Sequence, residues 1–359
     1  MDTGTIPVFD GHNDTLLRLW SGTTDPVAAY RDGGQGGHID LPMTERSNLV
    51  GGFFAMYTPS PNAISLAEMM QASLYDFPLP PLLDLRYAQT ATAAMAAIFL
   101  RLGRTLGNGF RPCTTVEQIR AAMAEGAFAA VLHIEGAECI DADLDNLEVL
   151  YAAGLRSLGP VWSRNNIFAD GVPLRYPSSP DIGGGLTGAG RALVRACDAM
   201  GIMIDLSHMT EKGFWDVAAL SARPLVATHS NAHALTPTSR NLTDRQLDRI
   251  RESGGLVGLN FATAFLRTDG RMSPDTPLEL MVRHIDHLLE HLGEEGVALG
   301  SDFDGAVVPD AIGDCTGLPL LLDALAAAGY GEALIRKIAC ENWLSLLERS
   351  WHGGERLQT

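Results

Sequence analysis

Eight short apolar runs recur along the chain, and most of them are separated by stretches with helical periodicity. Strands that alternate with helices form parallel sheets, because each helical crossover returns the chain to the starting edge of the sheet. Eight such units close into a (β/α)8 barrel of the TIM type. The sequence therefore predicts an α/β barrel with strands at Ile6–Phe9, Gly51–Met56, Ala129–Ile134, Arg156–Trp162, Ile202–Leu206, Pro224–Thr228, Gly255–Leu259 and Gly296–Leu299.

The predicted barrel carries two helical additions. The chain has 359 residues, more than the roughly 250 that are typical of this fold. One addition is a helical insertion after the second strand, residues 57–128, and the other is a set of C-terminal helices. Nothing in the sequence divides the chain into two units, so one barrel domain over residues 1–359 is expected. The helices predicted in the additions are Ser65–Tyr75, Leu85–Leu106, Thr115–Glu125, Leu318–Ala328 and Glu332–Arg349.

The composition argues against several classes of partner. The formal net charge of −17 disfavours nucleic acid and anionic membranes, since both bind to basic surfaces. No apolar run is long enough to span a membrane, and no secretory signal precedes His12. The five cysteines are scattered and form no C-x-x-C pair, which is typical of reduced thiols. A cytoplasmic location is therefore expected.

Side chains that can bind metal stand at the ends of five predicted strands. In a barrel of this type the active site lies at the C-terminal ends of the strands, and imidazole and carboxylate groups are good zinc ligands. Taken alone, His12 and Asp14 also fit a strand that ends in a turn, with Asp14 capping the next element. Five such strand ends on one rim are hard to explain by packing, because each would need its own buried partner. The set is His12, Asp14, Glu135, His208, His229 and Asp302.

Several longer motifs surround these residues. The chain resembles the membrane (renal) dipeptidase family of zinc peptidases, a branch of the amidohydrolase-like barrels. The resemblance covers essentially the whole chain in order, and its motifs are FDGHNDT, IEGAE, IDLSHMT, ATHSNAHALTPTSRNLTD, ALGSDFDGA and ENWLSLLE.

The resemblance implies two zinc ions that share one ligand. His12, Asp14 and Glu135 would hold one ion, and Glu135, His208 and His229 would hold the other. The chemistry agrees, because a carboxylate can bridge two cations and Glu135 is the only glutamate at the predicted rim. Two zinc ions about 3.5–4 Å apart can share a hydroxide or water whose pKa falls to about 7, which supplies a nucleophile at neutral pH.

The resemblance also implies how protons move and how the substrate is recognised. Asp302 would be the catalytic acid/base, because an aspartate can take the proton from the nucleophile and pass it to the leaving amine. Arg240 would receive the substrate carboxylate, since a guanidinium offers two parallel donors. The implied function is hydrolysis of small dipeptides with a free C-terminal carboxylate, on either an L- or a D-residue.

One residue departs from the family pattern. Many members have a histidine at the end of the fourth strand that contacts the reacting carbonyl, and this sequence has Trp162 there. An indole N–H donates one hydrogen bond but carries no charge, so Trp162 is a candidate substrate-binding residue that would change the substrate range. Two alternatives therefore stay open: a related amidohydrolase acting on an N-acyl amino acid or a peptide-like biosynthetic intermediate, or a barrel that binds without catalysis. A homodimer is one option for the assembly.

Other histidines are assigned no metal. His284, His287 and His291 have helical spacing but fall among charged residues, opposite an apolar stripe, so a solvated helix face is expected. His133 precedes Glu135 by two residues and is expected to point into the barrel as a hydrogen-bonded interior residue.

Overall fold

A closed parallel barrel forms the centre of the molecule. The computed structural model describes residues 2–61 and 66–351. Every predicted apolar run overlaps a strand, and the predicted fold class is confirmed. The barrel strands, numbered in chain order, are β1 Val8–Asn13, β2 Leu49–Tyr57, β3 Ala129–Glu135, β4 Leu155–Gly159, β5 Met203–Ile204, β6 Val226–Ala227, β7 Leu256–Asn260 and β8 Val297–Gly300.

Backbone hydrogen bonds join the strands in chain order. Strands β1 to β5 pair in parallel, and so do β6 to β8. Between β5 and β6 the Leu206 N–H donates to a carbonyl of β6 at 2.7 Å. Between β8 and β1 the Asp302 N–H donates to His12 O at 3.0 Å, and the Asp14 N–H donates to Phe303 O at 2.7 Å. The bonds that close the barrel therefore involve the predicted site residues themselves.

Helices surround the barrel, and many begin at a side chain that caps a free backbone N–H. Thr115 Oγ1 accepts from the Gln118 N–H at 3.2 Å, and Thr187 Oγ1 accepts from the Gly190 N–H at 3.0 Å. The α-helices are Thr15–Ser21, Pro26–Asp32, Leu41–Thr44, Leu66–Met69, Leu85–Leu106, Val116–Ala124, Asp145–Ala152, Gly188–Met200, Glu211–Leu220, Asp244–Glu252, Thr263–Leu266, Leu278–Leu292, Leu318–Ala327, Glu332–Arg336 and Asn342–Trp351. Shorter helical turns are Thr3–Thr5, Gly107–Gly109, Cys315–Gly317 and the π-turn Lys337–Glu341.

The insertion after β2 differs from the prediction in its first helix. The helix expected at Ser65–Tyr75 extends only over Leu66–Met69, and Ser65 lies outside the described residues. Tyr75–Asp76 instead forms a two-stranded antiparallel ribbon with Arg175–Tyr176. The reason is local, because a proline-rich segment follows at once and residues that precede proline favour an extended backbone. This ribbon connects the insertion to the long loop after β4.

An aromatic residue from the last helix fills the lower part of the barrel. Trp343 is fully buried, and its ring centroid lies 5.2 Å from that of Phe53 on β2. Its Nε1–H donates to Leu299 O on β8 at 2.9 Å. Gly11 on β1 makes room for the ring, because a Cβ at this position would collide with it. The C-terminal helix thus seals the lower end of the barrel, and the metal-binding side chains collect at the opposite rim.

Candidate metal centre

The rim brings the five predicted metal ligands together around Glu135. Its Oε1 atom lies 2.9 Å from His208 Nε2 and 3.3 Å from His229 Nε2. The same oxygen is 3.8 Å from His12 Nε2, which is in turn 3.5 Å from Asp14 Oδ2. All five side chains are buried. One carboxylate oxygen is therefore within reach of imidazoles from both predicted ligand sets.

The protonation of these groups reflects a buried cluster of negative charge. Burial lowers the pKa values of His208 and His229 well below the usual range, so both imidazoles are neutral and can offer a lone pair. Burial raises the pKa values of Glu135 and Asp14. Burial also lowers the pKa of His12, but the neighbouring carboxylates of Glu135 and then of Asp14 raise it to about 10 overall. A positive charge is thus strongly favoured beside the two carboxylates.

Two imidazoles are oriented through their second ring nitrogen. His208 Nδ1 lies 2.9 Å from Ser163 Oγ, and His229 Nδ1 lies 2.8 Å from Thr228 Oγ1. The Thr228 hydroxyl donates in turn to Asp205 Oδ2 at 2.6 Å. Partners of this kind fix the ring orientation of metal-binding histidines. They leave both Nε2 atoms directed at Glu135.

The donor set fits zinc. Among the described residues, neither ring nitrogen of His12 nor Oδ1 of Asp14 has a hydrogen-bond partner, although both side chains are buried. Buried polar atoms normally have one, and metal coordination would supply it. His12 belongs to three groups whose ligand atoms all lie within 4.8 Å of one another. Its partners are Glu135 and His229 in the first, Asp14 and Asp302 in the second, and the interior residues His133 and Asp205 in the third. Nitrogen and carboxylate ligands in such proximity suit a small divalent ion.

Asp302 is held in place just after β8. Its backbone has a φ of 59°, in the left-handed region that non-glycine residues adopt infrequently. Its Oδ2 accepts from the Asn260 side-chain amide at 2.9 Å. Gly305 packs against the carboxylate, and a Cβ there would lie 2.6 Å from Asp302 Oδ1, closer than real packing allows. The carboxylate is therefore fixed next to His12.

A cavity of about 220 Å³ opens onto the rim. This is smaller than the ~300–1,000 Å³ typical of sites for drug-sized molecules. Its polar floor is formed by Asp14, Glu135, His208 and Asp302. Its largely apolar walls are formed by Leu17, Tyr57, Pro59, Trp162, Leu174, Phe265, Met272, Gly305 and Ala306. The cavity therefore suits a small molecule that reaches the metal ligands with a polar group.

Trp162 belongs to the wall of this cavity, beyond the end of β4. Its ring centroid lies 5.8 Å from that of His208 and 5.0 Å from that of Tyr57. Behind it Arg164 is fully buried, with its guanidinium carbon 5.3 Å from the indole and an ion pair of 3.0 Å to Glu138. Trp162 thus lies beside a predicted ligand on a rigid support, where a substrate could contact it.

Arg240 is buried behind the cavity. Its guanidinium donates to His229 O at 3.1 Å and to Ser230 Oγ at 3.3 Å, and its carbon lies 5.4 Å from the centroid of Phe265. Its Nε has no hydrogen-bond partner among the described residues. Phe265, but not Arg240, lines the cavity. The role of Arg240 as the receptor for a substrate carboxylate stays a prediction.

The structure separates the remaining histidines. His133 is a buried interior residue with Nδ1 2.8 Å from Ser157 Oγ, as predicted. The prediction of a solvated face is wrong for His284, which is buried and accepts the Ala232 N–H at 3.2 Å. The reason is that the chain after β6 packs on this helix, which helical spacing alone does not reveal.

Sequence reasoning missed several residues that support the site. Asp205 accepts the backbone N–H groups of Ser207 and Thr228 at 3.0 and 2.8 Å. Asp10 accepts from Ser301 N–H at 2.7 Å at the seam between β8 and β1. The sequence carried a signal for Asp10, because it precedes His12 by two residues on the same strand and side chains two residues apart in a strand point to the same face.

Comparison with known proteins identifies the family. The profile of the family described as Membrane dipeptidase (Peptidase family M19) matches residues 3–357. The chain belongs to this family. The predictions that it is a metallo-dipeptidase, and so a hydrolase of peptide bonds, are confirmed.

Solved structures of similar proteins agree with the fold along the whole chain. Dipeptidase AC, a metallo peptidase of family M19, is 54% identical with a TM-score of 0.94, over 97% of this chain and 99% of that one. A metallo peptidase from Rhodobacter sphaeroides liganded with a phosphinate mimic of the dipeptide L-Ala-D-Ala is 53% identical with a TM-score of 0.95, over 97% of this chain and 100% of that one.

A curated sequence is also similar to this chain. An uncharacterized protein in the pqqA 5' region of Klebsiella pneumoniae is 51% identical over 67% of this chain and 89% of its own length.

Within the part of the chain that the structure describes, no helix is both long and apolar enough to cross a membrane.

Proposed function

We propose that the chain is a binuclear zinc dipeptidase whose two ions are held by His12, Asp14, Glu135, His208 and His229. The observation that carries this proposal is the position of Glu135 Oε1, within 3.8 Å of three imidazole Nε2 atoms. An oxygen in this position suits a bridge, with His12 and Asp14 completing one site and His208 and His229 the other. The unpartnered nitrogens of His12 support the same assignment.

The residues around the ions would then perform the hydrolysis. Bound zinc would lower the pKa of water and polarise the scissile carbonyl. Asp302 would accept the proton of the attacking water and deliver it to the leaving amine. Asn260 would hold the Asp302 carboxylate in position for both proton transfers. Its side-chain amide donates to Oδ2, and Oδ1 takes no part in that bond. The apolar cavity walls would exclude bulk water, which strengthens electrostatic contacts at the floor.

The substrate we propose is a small dipeptide with a free C-terminal carboxylate, on an L- or a D-residue. The small cavity supports this size, and the R. sphaeroides neighbour binds a mimic of L-Ala-D-Ala. Arg240 would provide the positive charge for the carboxylate, supported by its unpartnered Nε. Trp162 would contact the substrate through its ring face and its single N–H.

A substrate panel tests this proposal. Zinc-loaded enzyme is assayed with L-Ala-L-Ala, L-Ala-D-Ala, the amide of each, Ala-Ala-Ala and N-acetyl-alanine. Loss of a charge-assisted contact worth about 1.5–3 kcal/mol should make the amides at least about tenfold poorer substrates. Arg240→Met should penalise the free dipeptides strongly and their amides little. Equal rates on dipeptide, amide and tripeptide would refute the role of the carboxylate, and preference for N-acetyl-alanine would favour an N-acyl amino acid hydrolase instead.

We further propose that the chain acts in the cytoplasm, as one domain over residues 1–359 and as a homodimer. All five cysteines are free thiols and buried, which suits a reducing compartment. Sedimentation equilibrium of the zinc-loaded protein tests the assembly, and a monomer mass across the micromolar range would overturn the dimer.

A further inference from the structure

A second group of metal-binding side chains lies on the outer helical layer, away from the barrel rim. The helix Leu278–Leu292 presents His287 and His291 one turn apart, towards Asp244 and Asp248 on the helix Asp244–Glu252. His287 Nε2 lies 2.8 Å from Asp244 Oδ1. His291 Nε2 lies 3.7 Å from the same oxygen. Two imidazoles thus converge on one carboxylate.

The distances suit a tetrahedral ion. Ligand atoms of Asp244, His287 and His291 all lie within 4.8 Å of one another. Ligands at about 2.0–2.1 Å from a tetrahedral zinc ion are about 3.3 Å apart. The two observed nitrogen–oxygen distances, 2.8 and 3.7 Å, fall on either side of this value. Shifts of a few tenths of an ångström in the side chains would therefore equalise them.

Asp248 supplies an independent indication. Its Oδ1 lies 2.8 Å from Nδ1 of His291, so that it binds the ring nitrogen facing away from Asp244. Metal-binding histidines commonly donate this second N–H to a carboxylate, which orients the ring and makes the other nitrogen a better ligand. A simple ion pair between His291 and one aspartate would not require both ring nitrogens to face carboxylates.

The group is accessible from solvent. The exposed fractions of the side chains are 17% for His287, 20% for His291 and 46% for Asp244. An ion could therefore bind without any opening of the fold, and a water molecule could complete the coordination. The group shares no residue with the candidate metal centre.

We propose that Asp244, His287 and His291 form a solvent-accessible site for a divalent first-row transition ion, with zinc as its occupant and Asp248 as the residue that positions His291. The ion would link the two outer helices that carry its ligands. Two imidazoles and one carboxylate also suit copper and nickel, and Cu2+ binds such ligands more tightly than Zn2+ does.

The test uses untagged holoenzyme that already contains the ions of the buried centre. Equilibrium dialysis against Zn2+ should load one more ion per chain in the parent protein than in the double variant His287→Ala/His291→Ala. The parent should also be retained on immobilised Cu2+-iminodiacetate, and the double variant should elute early. Asp248→Asn should weaken the additional Zn2+ site about tenfold or more, in the range for a lost partner of a metal-binding histidine.

Matched controls make the result decisive. His352→Ala, which removes a histidine outside the described residues, should leave both the additional zinc and the column retention unchanged. Dipeptide hydrolysis should be the same in the parent and in every variant, which also shows that each variant is folded. Equal zinc content and equal retention of the parent and the double variant would overturn the proposal and reduce the group to a surface hydrogen-bond network.

Discussion

Glu135 is the single residue on which both proposed zinc ions depend. Glu135→Gln removes the negative charge and one of the two anionic oxygens, so we expect zinc occupancy to fall at both positions. His208→Ala should reduce occupancy mainly at one position, because His208 belongs to only one of the two proposed ligand sets. Metal analysis after dialysis measures both variants. Two ions and full activity in Glu135→Gln would exclude the bridging role.

Asp302 separates metal binding from proton transfer. Asp302→Asn keeps the size of the side chain and can still accept from Asn260, but it cannot accept a proton at neutral pH. We expect two bound zinc ions and a rate reduced by roughly 10²–10⁴-fold, as is usual for loss of a general acid–base. Steady-state kinetics together with metal analysis tests this. Loss of an ion would instead make Asp302 a ligand, and near-normal turnover would contradict its catalytic role.

The residues that could be predicted from the sequence are those that terminate strands. His12 and Glu135 stand at the C-terminal ends of apolar runs. A barrel brings the C-terminal ends of all its strands together at one rim. Ser163 and Asp205 could not be predicted as orienting groups, because their contacts depend on which way an imidazole ring turns. His284 was misassigned because its burial depends on a distant segment packing over its helix.

Among the elements, the C-terminal helix Asn342–Trp351 is as important to the barrel as a strand. Trp343→Ala would leave a cavity in the barrel interior and remove the bond to Leu299 O. Large-to-small substitutions of a buried aromatic residue typically cost about 3–5 kcal/mol of unfolding free energy. Chemical denaturation of the zinc-loaded protein would measure this loss.

Trp351, on the same helix, provides the matched control. Its Nε1–H also donates to a backbone carbonyl, that of Arg156 at 3.1 Å, but the side chain is only partly buried. Trp351→Ala should therefore destabilise the protein clearly less than Trp343→Ala. Equal losses would show that Trp343 has no special role in sealing the barrel.

Secondary-structure elements were predictable where one periodicity continues for several turns. Leu85–Leu106 has the predicted bounds because its apolar pattern is long and ends at Gly107. The ribbon of Tyr75–Asp76 and Arg175–Tyr176 was not predicted, because it joins two segments about 100 residues apart that are each too short to show a strand pattern. That ribbon nevertheless matters for the site, since Leu174 beside it lines the cavity.

On the scale of the whole molecule, buried thiols make the free energy of unfolding fall as the pH becomes alkaline. Burial raises the pKa of Cys139, Cys315 and Cys340 to about 12, against about 8.5 in an unfolded chain. The folded state holds the thiol protons more tightly than the unfolded chain does. The contribution of these thiols to the free energy of unfolding is therefore complete below about pH 8.5. It is lost as the pH rises towards 12, by about 1.4 kcal/mol per pH unit for each thiol.

Urea denaturation with a reductant at pH 7.5, 9 and 10 would measure this trend. Cys139→Ala removes one of the titrating groups, so its unfolding free energy should fall less steeply above pH 9 than that of the parent protein. Parallel curves for the two proteins would contradict the assignment of the alkaline loss to this buried thiol.

The seam between β8 and β1 also dictates when the enzyme can become active during its own synthesis. His12 and Asp14 leave the ribosome first, and their backbone partners at Asp302 and Phe303 emerge about 290 residues later. At about 5–20 residues per second this interval is about 15–60 s. Until then β1 is paired with β2 only, its second neighbour β8 is absent, and the acid/base Asp302 is missing. A nascent or truncated chain that ends before the eighth strand should therefore neither retain its full metal complement nor hydrolyse any peptide.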